Sequence, residues 1–134
     1  MFTLHPRLAA DTAPIATWEL CHIRLMLDAN YPWLVLVPAR PDLTGMHQLT
    51  ADDGATLMTE ISRASHRLET LYNPTRINVA ALGNMVAQLH IHVIARLDSD
   101  PAWPGPVWGA VPGKVYSDDD LRRTVSSIAQ ALGD

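Results

Sequence analysis

"GNMVAQLHIHVIARL", residues 83 to 97, decides how this chain is read. Leu89, Ile91, Val93 and Ile94 are apolar enough for a buried β-strand, yet Gln88, His90 and His92 are interleaved among them. Alternate residues of a strand share a face. The stretch therefore predicts a strand over 86 to 97 that turns Leu89, Ile91 and Val93 into a core. Gln88, His90 and His92 then stand together on the other face, neighbours about 6.5 to 7 Å apart. Rigid elements hold reactive groups better than loops do. Just ahead, Gly83-Asn84 predicts a hairpin turn back to a strand over 75 to 82.

Further upstream, Leu57, Ile61, Ala64, Leu68 and Leu71 recur at helical spacing and predict a helix over about 50 to 71. Thr50 is its N-cap, Asp53 stands three residues on, and Asn73-Pro74 ends it. Before it, 18 to 28 reads as a strand with Cys21, Ile23, Leu25 and Leu27 on one face. "NYP" at 30 to 32 turns the chain, and "WLVLVP" at 33 to 38 returns as a strand buried on both sides.

Downstream, the Pro-, Gly- and Trp-rich stretch 100 to 113 predicts a loop anchored by its tryptophans, Trp103 and Trp108. Those two could instead help form a nucleobase pocket or a subunit contact. A second helix follows over about 118 to 132, capped by Ser117, with Leu121, Val125, Ile128 and Leu132 as its apolar stripe. Its Arg122 and Arg123 read as a solvated face. The whole predicts one α+β domain over 1 to 134, with an antiparallel sheet, a core over about 18 to 97, and the loop and last helix appended.

Composition narrows the function. A formal charge of -4 argues against a dedicated nucleic-acid binder, which needs a basic surface. The longest apolar run, "WLVLVPA", falls far short of the ~20 residues that span a bilayer. The N-terminal stretch lacks the charged start and apolar core of a signal peptide. A single cysteine, Cys21, in an apolar run reads as a buried thiol in a reducing compartment. The expectation is a cytoplasmic protein.

Three readings of the Gln-x-His-x-His face compete. The two rings can be satisfied sheet residues with no further role. They can chelate zinc, but zinc wants three or four protein ligands. His5, His22, His47 and His66 stand at no ligand spacing, and Gln88 is a poor ligand. Or a neutral imidazole can attack phosphorus, given one ring nitrogen free and the other fixed, while a second imidazole donates to a phosphate oxygen.

"NVAALGNMVAQLHIHVIAR" resembles the signature of the histidine triad (HIT) family, a strand of alternating histidines after a glycine-containing turn. "LMLDANYPWLVLVPARP", 25 to 41, is similar to the family's hairpin, and the intervening helix falls where the family's central helix lies. The resemblance implies a HIT-like α+β fold with about five antiparallel strands, one long central helix and a C-terminal helix. It implies a homodimer whose sheets join across the subunit boundary, and a nucleotide as the small-molecule substrate.

Residue by residue, it makes His90 the nucleophile that becomes nucleotidylated and His92 the donor to the α-phosphate. It makes Asp28 the ribose-binding carboxylate and Asn84 a phosphate-region contact, and it places Asn78 near the family's asparagine. Arg96 could reach a distal phosphate.

Three positions depart from the pattern. Gln88 stands for the first histidine, where an amide can donate a hydrogen bond but cannot carry a proton. Met85 replaces a hydroxyl residue, and Trp33 stands where some relatives place another histidine. The implied function is a hydrolase or nucleotidyl transferase cleaving at the α-phosphate of a nucleoside phosphoramidate or dinucleoside polyphosphate. The scheme requires no metal, though a polyphosphate could bring magnesium. The alternative is a nucleotide-binding protein that has lost efficient turnover.

Overall fold

"WLVLVP" is apolar at every position, and it occupies the middle of the sheet, where both faces are covered. The computed structural model describes residues 1–133. Among them are five strands, β1 (Thr12–Thr17), β2 (Cys21–Met26), β3 (Trp33–Pro38), β4 (Arg76–Ala80) and β5 (Ile91–Arg96). There are three α-helices, α1 (Pro6–Asp11), α2 (Ala51–Tyr72) and α3 (Asp118–Gly133). The strands order β1-β2-β3-β5-β4, every neighbouring pair antiparallel. Five antiparallel strands with one long central helix and a C-terminal helix make the α+β architecture that the resemblance implies.

Period-two alternation divides the core in two. Cys21, Ile23, Leu25, Leu34, Leu36, Ile91 and Val93 face one way, under the α2 stripe of Leu57, Ile61, Ala64 and Leu68. Ile128 and Leu132 of α3 complete that cluster, so the last helix belongs to the core rather than hanging from it. Thr50 caps α2 as expected, accepting from the Asp53 N–H, and Asn73 ends it in the left-handed region. Leu71 lies at the exposed margin of the stripe.

The α2 position that periodicity did not single out is Glu60. It is buried, and its two carboxylate oxygens accept the N–H groups of Leu20 and Cys21 at 3.0 and 2.9 Å. It thereby pins the start of β2 to the helix. The Cys21 thiol is buried as expected, and burial together with Glu60 pushes it well above its ordinary range.

The opposite face of the sheet carries the second cluster, Trp33, Val35, Val37 and Ile94 with Leu8, Tyr31, Val86 and Val107. Among the described residues no long helix covers it. The N-terminal segment with α1, and the loop after β5, pack there instead.

Three expectations about the chain's path are corrected. The Pro-punctuated start holds a short helix and an edge strand, so the sheet begins at Thr12 rather than near 18. The strand over 18 to 28 shortens to Cys21–Met26, leaving Leu27 38% exposed beyond its end. Gly83-Asn84 is not a two-residue hairpin turn: Ala80 pairs with His92, so residues 81 to 91 separate the last and first paired positions of the two strands. A loop that long can fold back over the sheet, and part of it lines the site.

Candidate active site

His90 sits one residue before β5 and His92 within it, on the face away from α2. Both are buried, 7% and 4% exposed, with ring centroids 4.9 Å apart and nearly perpendicular planes. Each ring has one nitrogen fixed, and the two are fixed in opposite senses.

The Nδ1 of His90 lies 2.7 Å from the Gln88 main-chain oxygen. A carbonyl only accepts, so Nδ1 carries the proton and Nε2 keeps its lone pair. This is the tautomer a nucleophilic imidazole needs. In His92, Nδ1 accepts from the Trp33 indole N–H at 2.9 Å. The indole only donates, so the neutral ring's proton is on Nε2. Burial, with the neighbouring His90 ring, lowers His92 to about 4. It is thus an uncharged hydrogen-bond donor throughout the neutral range.

The walls come from elements far apart in sequence. A cavity of about 300 Å³ opens onto both histidines, with Leu8, Met26, Asn84 and Trp108 among its lining. Trp108 stands edge-on to His92 and Trp33, at 5.0 and 5.7 Å between centroids. A second concavity of about 460 Å³ meets His90 from another side, bounded by Thr44 to His47 and Ala81 to Gly83. The mixed lining, apolar surface with a few convergent polar groups, is that of a small-molecule site.

The model of the HIT domain family matches residues 7–99. The chain belongs to the HIT domain family. Solved structures agree along nearly its whole length. A histidine triad protein of Bradyrhizobium japonicum is 42% identical, with a TM-score of 0.95 over 98% of each chain. A histidine triad (HIT) protein of Sinorhizobium meliloti is 43% identical, with a TM-score of 0.94 over 97% of this chain and 96% of that one. A histidine triad protein of Marinobacter aquaeolei is 41% identical, with a TM-score of 0.96 over 99% and 97%. These coverages take in the Trp-rich loop and α3. No curated protein matches the sequence.

Within this HIT domain, His90, His92 and Asn84 line one cavity. The other expected site residues are placed elsewhere. Arg96 lies on the same sheet face but is 1% exposed, and its donors are committed within the protein. Nε and one terminal nitrogen donate to the two Asp100 carboxylate oxygens at 2.7 and 3.1 Å. That terminal nitrogen also donates to the Gly105 carbonyl, and the other donates to Asn78 Oδ1 at 2.9 Å. The expected reach to a distal phosphate is therefore corrected: with every nitrogen engaged and the group buried, Arg96 with Asn78 anchors the loop.

Burial alone would raise Asp100, but the Arg96 guanidinium and the N–H groups of Ala102 and Trp103 hold it below its ordinary value. The guanidinium also lies 5.7 Å from the Trp103 ring centre, so Trp103 is an anchor, while Trp108 is an anchor that lines the cavity.

Asp28 is half-buried just past β2 and outside the cavity lining. One of its oxygens accepts the N–H groups of Asn30 and Lys114, so the segment at 112 to 114 lies against it. The Gln88 amide points at the N-terminal segment rather than at either ring.

Met85 stands 81% exposed at the cavity's edge. His66 is solvated beside Glu69, and Arg122 and Arg123 pair on the surface with Asp119 and Asp120. Among the described residues, no three His, Cys, Asp or Glu side chains gather where they could hold a metal ion, and no helix is long and apolar enough to cross a membrane.

Among the cavity residues missed by the sequence reading are Arg7, Leu8 and Asp11, whose short helix has no periodic signal, and Met26, which alternates away from the Ile23 and Leu25 face of β2. Trp33, a departure from the family pattern, is the hydrogen-bond partner of His92. Asp100 had a signal: it follows Arg96 at i+4, and an arginine on a buried strand needs a carboxylate.

Proposed function

We propose that this HIT domain binds a nucleotide in the cavity beside His90 and His92 and cleaves it at the α-phosphate through a nucleotidyl-histidine. One observation supports the reading above the rest: the complementary tautomers of His90 and His92, one ring with a free basic nitrogen and its neighbour with a neutral donor.

The free Nε2 of His90 forms a bond to the α-phosphorus as the bond to the leaving group breaks. The leaving group departs with its electron pair and takes a proton from solvent, Met85 having none to give. His92 donates from Nε2 to a non-bridging oxygen, where charge grows in the transition state. Water then attacks the phosphorus, His90 Nε2 leaves, and the nucleoside monophosphate is released with one proton to solvent. Asn84 reaches the phosphate region from the loop, and beyond the cavity lining Asp28 keeps one carboxylate oxygen for the ribose hydroxyls that the resemblance assigns to it. The chain's residues need no metal for this, although a polyphosphate substrate would arrive with magnesium.

The same reading includes a homodimer. β4 is an edge strand, and Val79 on it is 48% exposed beside Met46 and Met58 at 49% and 62%. With Ile61 and Ile91 they bound an apolar recess of about 330 Å³. An unpaired edge beside exposed apolar side chains favours pairing with a second copy.

The deciding experiment incubates the protein with an adenosine phosphoramidate or a diadenosine polyphosphate, quenches with base and seeks an adenylyl adduct on His90 by mass spectrometry. The adduct and AMP release are both expected to vanish in His90→Ala. Tight binding with neither adduct nor turnover in the parent protein would favour the alternative, a nucleotide binder without chemistry. Comparing AMP release from the two substrate types then names the substrate class.

A further inference from the structure

Gln88 occupies the place of a triad histidine, yet its amide is turned away from both rings. Its Oε1 accepts the His5 N–H at 2.8 Å, and its Nε2 donates to the Thr3 carbonyl at 2.8 Å. These two groups flank Leu4 and face the same way, as the C=O of residue i and the N–H of residue i+2 do in any extended chain. One residue of a neighbouring parallel strand would bond that pair, and here a side-chain amide does so. The amide suits the task because its donor and acceptor lie side by side. An imidazole cannot copy it, since its two nitrogens point away from each other.

The fastened segment leads directly into the cavity wall. Phe2 and Leu4 pack on the apolar cluster that shares the histidines' face of the sheet, with the Phe2 ring 5.2 Å from His22. His5 then caps α1, whose Arg7, Leu8 and Asp11 line the cavity that holds His90 and His92. Meanwhile the main-chain oxygen of Gln88 fixes the His90 ring. One residue thus holds the nucleophile with its backbone and the opposite wall with its side chain.

We propose that Gln88 is a positioning residue, not a proton-carrying member of a triad: its amide straps residues 3 to 5 to the site and so sets how tightly the α1 wall closes on a bound nucleotide. The nucleotide half of this rests on the function proposed above, whereas the strap stands on geometry alone. If the missing histidine limited the chemistry, Gln88→His would raise kcat. If the amide is a fastening, that change undoes the strap: kcat is not raised and KM rises.

The test uses the full chain and four variants. Gln88→Met keeps length but removes both hydrogen bonds, and Gln88→His restores the triad residue. His5→Pro removes the N–H without backbone strain, because His5 already has φ -56° and ψ 134°. His5→Ala removes only the ring, so the difference between the two His5 variants reads the N–H alone.

In Gln88→Met and Gln88→His, hydrogen exchange at the His5 amide is expected to speed up about tenfold, and AMP to bind about five- to tenfold more weakly, as losing a pair of modest hydrogen bonds predicts. Combining Gln88→Met with His5→Pro should weaken AMP binding little beyond Gln88→Met with His5→Ala, since Gln88→Met has already cut the contact to the His5 N–H.

Unchanged exchange at His5 in Gln88→Met, or a raised kcat in Gln88→His, overturns the proposal. If AMP binds neither parent nor variants, the nucleotide reading fails, and exchange at His5 still decides the strap.

Discussion

Replacing Trp33 by phenylalanine tests the electronic state assigned to His92. The indole N–H is the partner of His92 Nδ1, at 2.9 Å, with Trp33 6% exposed and His92 4%. Phenylalanine preserves an aromatic wall but removes the donor. Leaving a buried acceptor unpaired costs about 1–3 kcal/mol. The void left by the smaller ring adds about 1 kcal/mol at ~24 cal/mol per Å³. A loss of about 2–4 kcal/mol in unfolding free energy is expected.

The effect on the ring is separable from that loss. The indole bonds only a ring unprotonated at Nδ1, so about 1 kcal/mol of lost bond raises His92 by somewhat under one pH unit. Starting from about 4, the ring is still neutral at pH 7. What changes is the tautomer, whose bias toward Nε2–H falls about fivefold for the same 1 kcal/mol. Turnover should therefore fall by no more than about fivefold. His92→Phe, which deletes the donor altogether, should cost about 100- to 1,000-fold, the scale of losing one oxyanion-type donor. Nitrogen-15 NMR of the imidazoles reads the tautomer and the titration directly, and AMP release reads turnover. An unchanged His92 tautomer and midpoint in Trp33→Phe would refute the hydrogen bond. A turnover loss as large as that of His92→Phe would refute the indirect role.

Further outcomes follow from other contacts. Because His92 is depressed to about 4 in the folded chain, the unfolded chain binds the extra proton first, and stability falls as pH drops from about 6.5 to about 4. The slope is about 1.4 kcal/mol per pH unit and the total about 3 kcal/mol. Urea titrations across that window should show it, and His92→Phe should lack it. Asp100→Asn leaves the Arg96 guanidinium buried without its counter-charge, and a loss of about 3–5 kcal/mol is expected by calorimetry. Glu60→Leu unpairs the buried N–H groups of Leu20 and Cys21, and about 2–4 kcal/mol should be lost in the same assay. Val79→Lys puts a charge on the exposed edge strand, so the homodimer proposed above predicts a dimer for the parent and a monomer for this variant in light scattering.

What the sequence made legible is what local pattern controls. The α2 stripe, its Thr50 cap and its Asn73 end depend on residues within a few positions of each other, and they stand where spacing puts them. The strand at 33 to 38 and the histidine alternation are equally local. Leu89, Ile91 and Val93 face α2 while His90 and His92 face away. The failures are non-local. "TAPIAT" has proline and little apolar bulk, and it becomes a strand only because β2 offers it an edge. Gly83-Asn84 carries a hairpin signal, but β4 pairs with β5 in a register that sets Ala80 opposite His92, which leaves too many residues for a tight turn. Arg96 reads as free to reach a phosphate because its counter-charge, Asp100, sits in a loop with no periodicity to place it.

The departures from the family pattern gain a common physical account once partners are named. Trp33 and Gln88 are the two sites where a histidine was expected from the resemblance, and neither is idle. A tryptophan can only donate, so it fixes His92 in one tautomer, whereas a histidine there could donate or accept according to its own protonation. The primary amide of Gln88 bonds two main-chain groups that no imidazole could serve together. Both replacements exchange a titratable group for one whose role does not change with pH. In the proposed reaction His92 is then a neutral donor down to about pH 4, and neither Trp33 nor Gln88 exchanges a proton. A pH profile of kcat/KM above pH 6 that keeps its shape in Gln88→Met and Trp33→Phe agrees with that account. A titration step lost in either variant would refute it.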